Sequence, residues 1–147
     1  METGPLPTII SSNVDMRLVV AGSEQTVKVN AVLDYAAHEP FSVRATFHTM
    51  EGAVTWVFSR ELLTQGVNEP TGQGDIVMWP SHDDGKALLH VVLQSPNGRA
   101  EMQAPLSEVS EFLQRTNEVV KPGTEGDHLD LDNLIKNLLD ENPPMPL

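Results

Sequence analysis

The feature that most constrains this chain is a two-residue alternation that starts at Val14. Val14, Met16, Leu18 and Val20 are separated by Asp15, Arg17 and Val19; Val27, Val29, Ala31 and Leu33 are separated by Lys28, Asn30 and Val32. Phe41, Val43, Ala45 and Phe47 alternate with Ser42, Arg44, Thr46 and His48, and Val54, Trp56 and Phe58 resume the pattern after Met50-Glu51-Gly52. A strand puts residues i and i+2 on one face, so each run predicts a strand with one side on a core and the other towards water. Four such strands joined by short links predict an antiparallel sheet.

At Ser59 the period breaks. Ser59 to Gly66 predicts a short helix, with the Ser59 hydroxyl as its cap and Gly66 as a left-handed exit. Strands return over Asp75 to Trp79, Ala87 to Leu93 and Arg99 to Gln103, the last two joined by the turn Ser95-Pro96-Asn97-Gly98. Leu106, Val109, Phe112, Leu113 and Val120 then share one helical face, with Glu108 and Glu111 near the N-terminus, where the dipole favours acids. Lys121-Pro122-Gly123 stops that helix. Leu131, Leu134, Ile135, Leu138 and Leu139 predict another, capped by Asp127 or Asp130 and ended by Asn142-Pro143-Pro144. The expected fold class is α+β: about seven antiparallel strands and about three helices, loosely two sheet-plus-helix halves, with helices segregated against the sheet. The expected domain spans 14–141, between a flexible start at 1–13 and a flexible tail at 142–147.

The chain has 147 residues, enough for one self-sufficient core without disulfide or metal, and it contains no cysteine. That removes disulfide scaffolds and cysteine nucleophiles and fits a reducing cytoplasm. No stretch reads as a signal peptide or a membrane span. The formal net charge is −12, and the nine lysines and arginines are scattered singly. From Pro105 onward nine acids face only Arg115, Lys121 and Lys136. Binding to a phosphate backbone draws on clustered cations, so nucleic acid and anionic lipid are unexpected direct partners, and a protein surface is the natural one.

The segment Pro70 to Ser81, PTGQGDIVMWPS, invites a phosphate-loop reading that its context refuses. A phosphate cradle leads from a strand into a helix N-terminus and usually carries a lysine. Here a helix precedes the glycines, a strand follows them, and Asp75 would repel the anion. PTGQG reads instead as a turn between the two halves. His82-Asp83-Asp84 and Asp127-His128 carry metal-ligand chemistry but sit in polar turns without ligand spacing. His48 and His90 fall on the polar side of their strands, where solvated or hydrogen-bonded histidines are ordinary. No Gly-x-Ser-x-Gly elbow or Ser-His-Asp set is evident, so no catalytic, cofactor or metal residues are assigned and no cofactor is expected. Trp79 lies opposite in phase to Ile76 and Met78, facing away from the core, which makes it a candidate partner contact. The stripe Leu131, Leu134, Ile135 and Leu138, carried after a Pro-Gly linker, is the other; each could equally be covered by the chain itself.

VRATFHT (Val43 to Thr49), VTWVFSRELL (Val54 to Leu63), PTGQGDIVMWPS, SPNGRAEMQAP (Ser95 to Pro105), FLQRT (Phe112 to Thr116) and VKPGTE (Val120 to Glu125) occur in that order. Together they resemble the SsgA-like proteins of sporulating actinomycetes, and within them the SsgB branch, from about Val14 to Leu139. The resemblance implies a non-enzymatic protein of sporulation-specific cell division, acting in the cytoplasm at the septum. It further implies that, with an SsgA-type paralogue, the protein recruits the tubulin-like FtsZ to future septum sites, promotes its polymerisation and helps tether the ring. It implies a Whirly-like, barrel-like body that assembles as a homotrimer. Whirly relatives bind single-stranded nucleic acid, which is the alternative function. The chain departs from that use in lacking a basic groove with stacking aromatics. Membrane contact is expected to be indirect, because neither a polybasic segment nor a lipidation signal is present.

Overall fold

The computed structural model describes residues 8–129 and the single positions Ile135, Leu138 and Leu139. Its elements are β1 (Ile9–Val19), β2 (Thr26–Ala36), β3 (Ser42–Thr49), β4 (Gly52–Ser59), α1 (Arg60–Gly66), β5 (Thr71–Gln73), β6 (Ile76–Asp83), β7 (Lys86–Ser95), β8 (Gly98–Pro105) and α2 (Leu106–Val119), followed by a 3₁₀ turn at Glu125–His128. All eight strands form one antiparallel sheet in the order β4-β3-β2-β1-β8-β7-β6-β5. Two four-stranded meanders are thus joined through β1 and β8, at Arg17 opposite Gln103 and Leu18 opposite Met102. The sheet curls into an α+β half-barrel whose end strands, β4 and β5, are not paired with each other.

The alternation sorts the two faces as expected. Val14 and Met16, Ala31, Leu33 and Tyr35, Val43, Ala45 and Phe47 point to the core side. The second meander adds Ile76 and Met78, Leu89, Val91 and Leu93, Met102 and Ala104. Both helices close over this side, α1 through Leu62 and Leu63 and α2 through Val109, Phe112 and Leu113. The opposite face of the sheet carries no helix among the described residues.

Four expectations are corrected. β1 begins at Ile9 rather than Val14, with Ile9 opposite Ala36 and Ser12 opposite Leu33, so 9–13 is paired strand and not a frayed start. The apolar pattern is interrupted there because Ser12 occupies a core-side position, where its Oγ accepts a hydrogen bond from Arg115 Nη1 at 2.9 Å. There are eight strands rather than seven, because PTGQG is not a plain turn. Thr71–Gln73 forms β5, pairs with Ile76–Met78, and turns through Gly74 at φ +60°. β6 also continues past Trp79 to Asp83. β5 covers only its first residues, so Pro80 lies where β6 has become an edge strand and a missing N–H is tolerated. Lastly, Gly66 is not a left-handed exit: α1 ends on Val67 at φ −74°. Gly66 is needed for space, since a Cβ there would lie 2.9 Å from the Cβ of Met78.

The Ser59 cap is as predicted, its Oγ accepting from Leu62 N–H at 2.9 Å. The described residues hold two α-helices; the stripe at 131–139 largely falls outside them. Of that stripe, Ile135, Leu138 and Leu139 are helical and about half exposed, whereas Leu131 and Leu134 lie outside the described residues.

Candidate interaction surface

On the outward face of the second meander, the Asp84-Gly85 turn sets the register of β6 against β7. Asp84 sits at φ 49° and Gly85 at φ 76°, the positive-φ pair that a tight two-residue hairpin requires. That register places Trp79 opposite His90. Their rings stack with centroids 5.1 Å apart and planes within 1°. Ser81 Oγ lies 2.7 Å from His90 Nε2. Burial pushes the His90 imidazole below its ordinary value, and the nearby Glu101 carboxylate opposes this only in part, so the ring is held neutral. Val77, one pleat along from Trp79, is 44% exposed.

A serine bonded to a neutral histidine is a nucleophile–base pair, and among the described residues the geometry stops there. Glu101 lies on β8 opposite Val92, one row away, and makes no hydrogen bond to the imidazole. The indole covers one face of the ring, and β7 around His90 is paired on both sides, with β6 and β8. Among the described residues no side chain hydrogen-bonds the other imidazole nitrogen to orient the base, and what the cluster presents is a half-buried aromatic platform. His82, Asp83 and Asp84 lie in the β6–β7 hairpin, and no group of three or more metal-ligating side chains converges among the described residues.

A second polar cluster, invisible in the sequence, lies on the other side of the sheet. Arg60 opens α1 and is 3% exposed. Its Nη1 donates to the carbonyls of Thr116 (3.2 Å) and Val120 (2.8 Å), and its Nη2 to Glu125 Oε2 at 3.0 Å. Its guanidinium lies 4.9 Å from the centre of the Tyr35 ring. The other carboxylate oxygen of Glu125 accepts from Gly123 N–H at 2.8 Å. Arg60 therefore caps the C-terminus of α2 and fastens the Lys121–Glu125 loop to α1, joining the SRELL and VKPGTE segments. Beside it runs a cleft of about 400 Å³ bordered by Phe41, Glu61, Asn117 and Pro122.

Of the residues singled out in the sequence, Trp79 is outward-facing as predicted, but as one half of a stack with His90 and not as a lone anchor. Ile135 and Leu138 keep an exposed apolar side. No helix of the described residues is long and apolar enough to cross a membrane.

Comparison with known proteins gives this architecture its class. The profile of the family described as Streptomyces sporulation and cell division protein, SsgA, matches residues 29–125. The chain is 43% identical over 136 residues to the sporulation-specific cell division protein SsgB of Streptomyces coelicolor, covering 92% of this chain and 98% of that one. It is 40% identical over 126 residues to SsgB of Thermobifida fusca, covering 85% and 91%. Two solved structures share the fold. One, described in connection with SsgB mutations and longitudinal cell division during sporulation of Streptomyces coelicolor, superposes with a TM-score of 0.81 over 86% of this chain and all of that one, at 41% identity. The SsgA-like sporulation-specific cell division protein of Thermobifida fusca gives 0.82 over 92% and 98%, at 38% identity. The half-barrel is that of the SsgA-type sporulation and cell division proteins. The chain belongs to the SsgA family.

The outer surface protein BbCRASP-4 or ErpC of Borrelia burgdorferi superposes with a TM-score of 0.51 over 74% of this chain and 99% of that one, at 10% identity. That likeness concerns the fold alone.

Proposed function

We propose that this chain is an adaptor of sporulation-specific division that recruits FtsZ to future septum sites, promotes its polymerisation and helps tether the ring. The observation that carries the reading is the identity of 43% with a sporulation-specific cell division protein, sustained over 92% of the chain. In this reading the protein acts in the cytoplasm at the septum, with an SsgA-type paralogue, as a homotrimer. Each meander with its helix is one unit of a Whirly-like body. Trp79 with Leu131, Leu134, Ile135 and Leu138 is the proposed partner-contact set. Membrane contact passes through a partner, because a formal net charge of −12 is repelled by anionic headgroups.

Sedimentation of FtsZ with GTP, with and without the full-length protein, tests the reading. The expected outcome is more FtsZ in the pellet and co-sedimentation of the protein. Unchanged FtsZ pelleting across protein concentrations would overturn it. A truncation before Asp127 run beside it separates the C-terminal stripe from Trp79: loss of pelleting with Trp79 intact assigns the contact to the stripe.

A further inference from the structure

Strand pairing aligns five outward-facing residues in a single row across the sheet. Lys28 of β2 stands opposite Arg17 of β1, Arg17 opposite Gln103 of β8, Gln103 opposite His90 of β7, and His90 opposite Trp79 of β6. With strands about 4.8 Å apart, the row runs roughly 19 Å from ammonium to indole. It contains no acid. Arg17 and Lys28 are exposed and directly opposed, an arrangement in which like charges destabilise a sheet. Neither forms a salt bridge among the described residues, although Asp15 and Glu101 lie in the adjoining rows. In a chain of net charge −12, two facing cations without acidic partners are the opposite of what folding alone favours. At the far end the Trp79–His90 stack and the half-exposed Val77 offer apolar surface, and the neutral imidazole adds no charge.

We propose that this row is a docking strip for an extended acidic segment of a partner protein. A carboxylate-bearing end lies on Arg17 and Lys28, and an apolar or aromatic side chain lies on Trp79 and Val77. At about 3.3 Å per extended residue, the two anchors of the segment are five to six residues apart. Charge complementarity selects the occupant: an acidic ligand relieves the Arg17–Lys28 repulsion that the free protein carries. The bulk charge of the chain opposes the long-range approach of a nucleic acid strand, while a short acidic segment suffers less of that repulsion. The inference is independent of which division protein is recruited, since peptide binding and FtsZ sedimentation are separate measurements.

The test is an NMR titration of the full chain with the peptide acetyl-Asp-Asp-Gly-Ser-Gly-Leu-Phe-amide, beside the same peptide with both aspartates replaced by asparagine. The expected result is shifts confined to Arg17, Lys28, Gln103, His90 and the Trp79 indole N–H. Affinity should fall about tenfold between 50 and 300 mM salt, as screening shortens the reach of the cations. Lys28→Glu is the decisive variant. It gives Arg17 an acidic partner, so its melting temperature should rise while peptide binding is lost; a purely structural role for Lys28 would lower the melting temperature. Trp79→Leu should weaken binding about tenfold, the loss of about 1.4 kcal/mol. Equal binding of the uncharged peptide, or no shift at millimolar peptide, would overturn the proposal. So would tighter binding of a thymidine octamer, which would make the row a nucleic-acid site, or shifts that track protein concentration alone, which would assign it to a second copy of the chain.

Discussion

Arg60 has more polar contacts than any other side chain described. The carbonyls of Thr116 in α2 and of Val120 at its C-cap, the Glu125 carboxylate and the Tyr35 ring all converge on one guanidinium that is 3% exposed. Truncation would leave the Val120 carbonyl without its described donor and take one partner each from the Thr116 carbonyl and Glu125 Oε2, so Arg60→Ala is expected to cost about 3 kcal/mol in chemical denaturation. Arg60→Lys should recover only part, because an ammonium cannot reproduce the planar fork across three acceptors. Glu125 supplies the pH dependence. Hydrogen bonding from its own backbone N–H, then from Arg60 and from Gly123, holds its carboxyl below the usual carboxylate range. A depressed folded value means that its contribution is complete above the ordinary carboxylate value of the unfolded chain and is lost as pH falls through the lowered one. Stability measured downward from about pH 5 should therefore fall in the wild type, and Glu125→Gln should flatten that part of the curve. The central role of Arg60 was not legible in the sequence, because one arginine at the start of a short amphipathic helix reads as a solvated residue. Its importance depends on where α2 ends, since the nearer of the two carbonyls it meets lies fifty-six residues further along the chain.

Among the elements, β2, β3, β4, β7 and β8 are legible because apolar side chains hold the core-side positions at their centres, and α1 and α2 are legible from their apolar faces and turn signals. β1 reads short because Ser12 breaks the pattern for the sake of Arg115. β5 escapes because three residues containing a glycine carry no period, and only pairing with β6 makes them a strand. Trp79 could be placed by its phase, but His90 could not be placed beside it until the Asp84-Gly85 turn fixed the register. α1 gives the most direct test of element packing. Gly66 is buried at its last turn, against Met78 of β6, with no positive φ to explain it. Were it only a flexible exit, Gly66→Ala would stabilise the helix by up to about 1 kcal/mol. With Met78 Cβ 2.9 Å from the new methyl carbon, backbone must shift instead, and a net loss of about 1–3 kcal/mol is expected. Paired urea denaturation of wild type and variant distinguishes the two signs. Met78→Ala in the Gly66→Ala background removes the Sδ 3.2 Å away but keeps the Cβ, so it should recover only the Sδ share of the cost.

At the scale of the whole molecule, the two meanders share only a narrow ladder between β1 and β8, yet a single apolar core runs beneath both. The reason is α2. It follows β8 in the second meander, but it packs against β1 of the first as well as β7 and β8, while α1, which follows the first meander, packs against β5 and β6 of the second as well as β4 of its own. Each helix thus bridges both halves. The sequence order of strands and helix, then strands and helix, suggests two units, but the bridging helices tie them into one core. Phe112 lies at the centre of that arrangement and is fully buried. Phe112→Ala should cost about 3–5 kcal/mol, the range for emptying a buried aromatic site. If the halves are mutually dependent, this loss moves the entire unfolding curve: far-UV circular dichroism and Trp56 and Trp79 fluorescence should give one coincident transition with an unchanged slope in urea. A first transition seen by one probe and a second by the other would mean that the meanders fold as separate units, and that the bridging helices are packing decoration on two independent sheets.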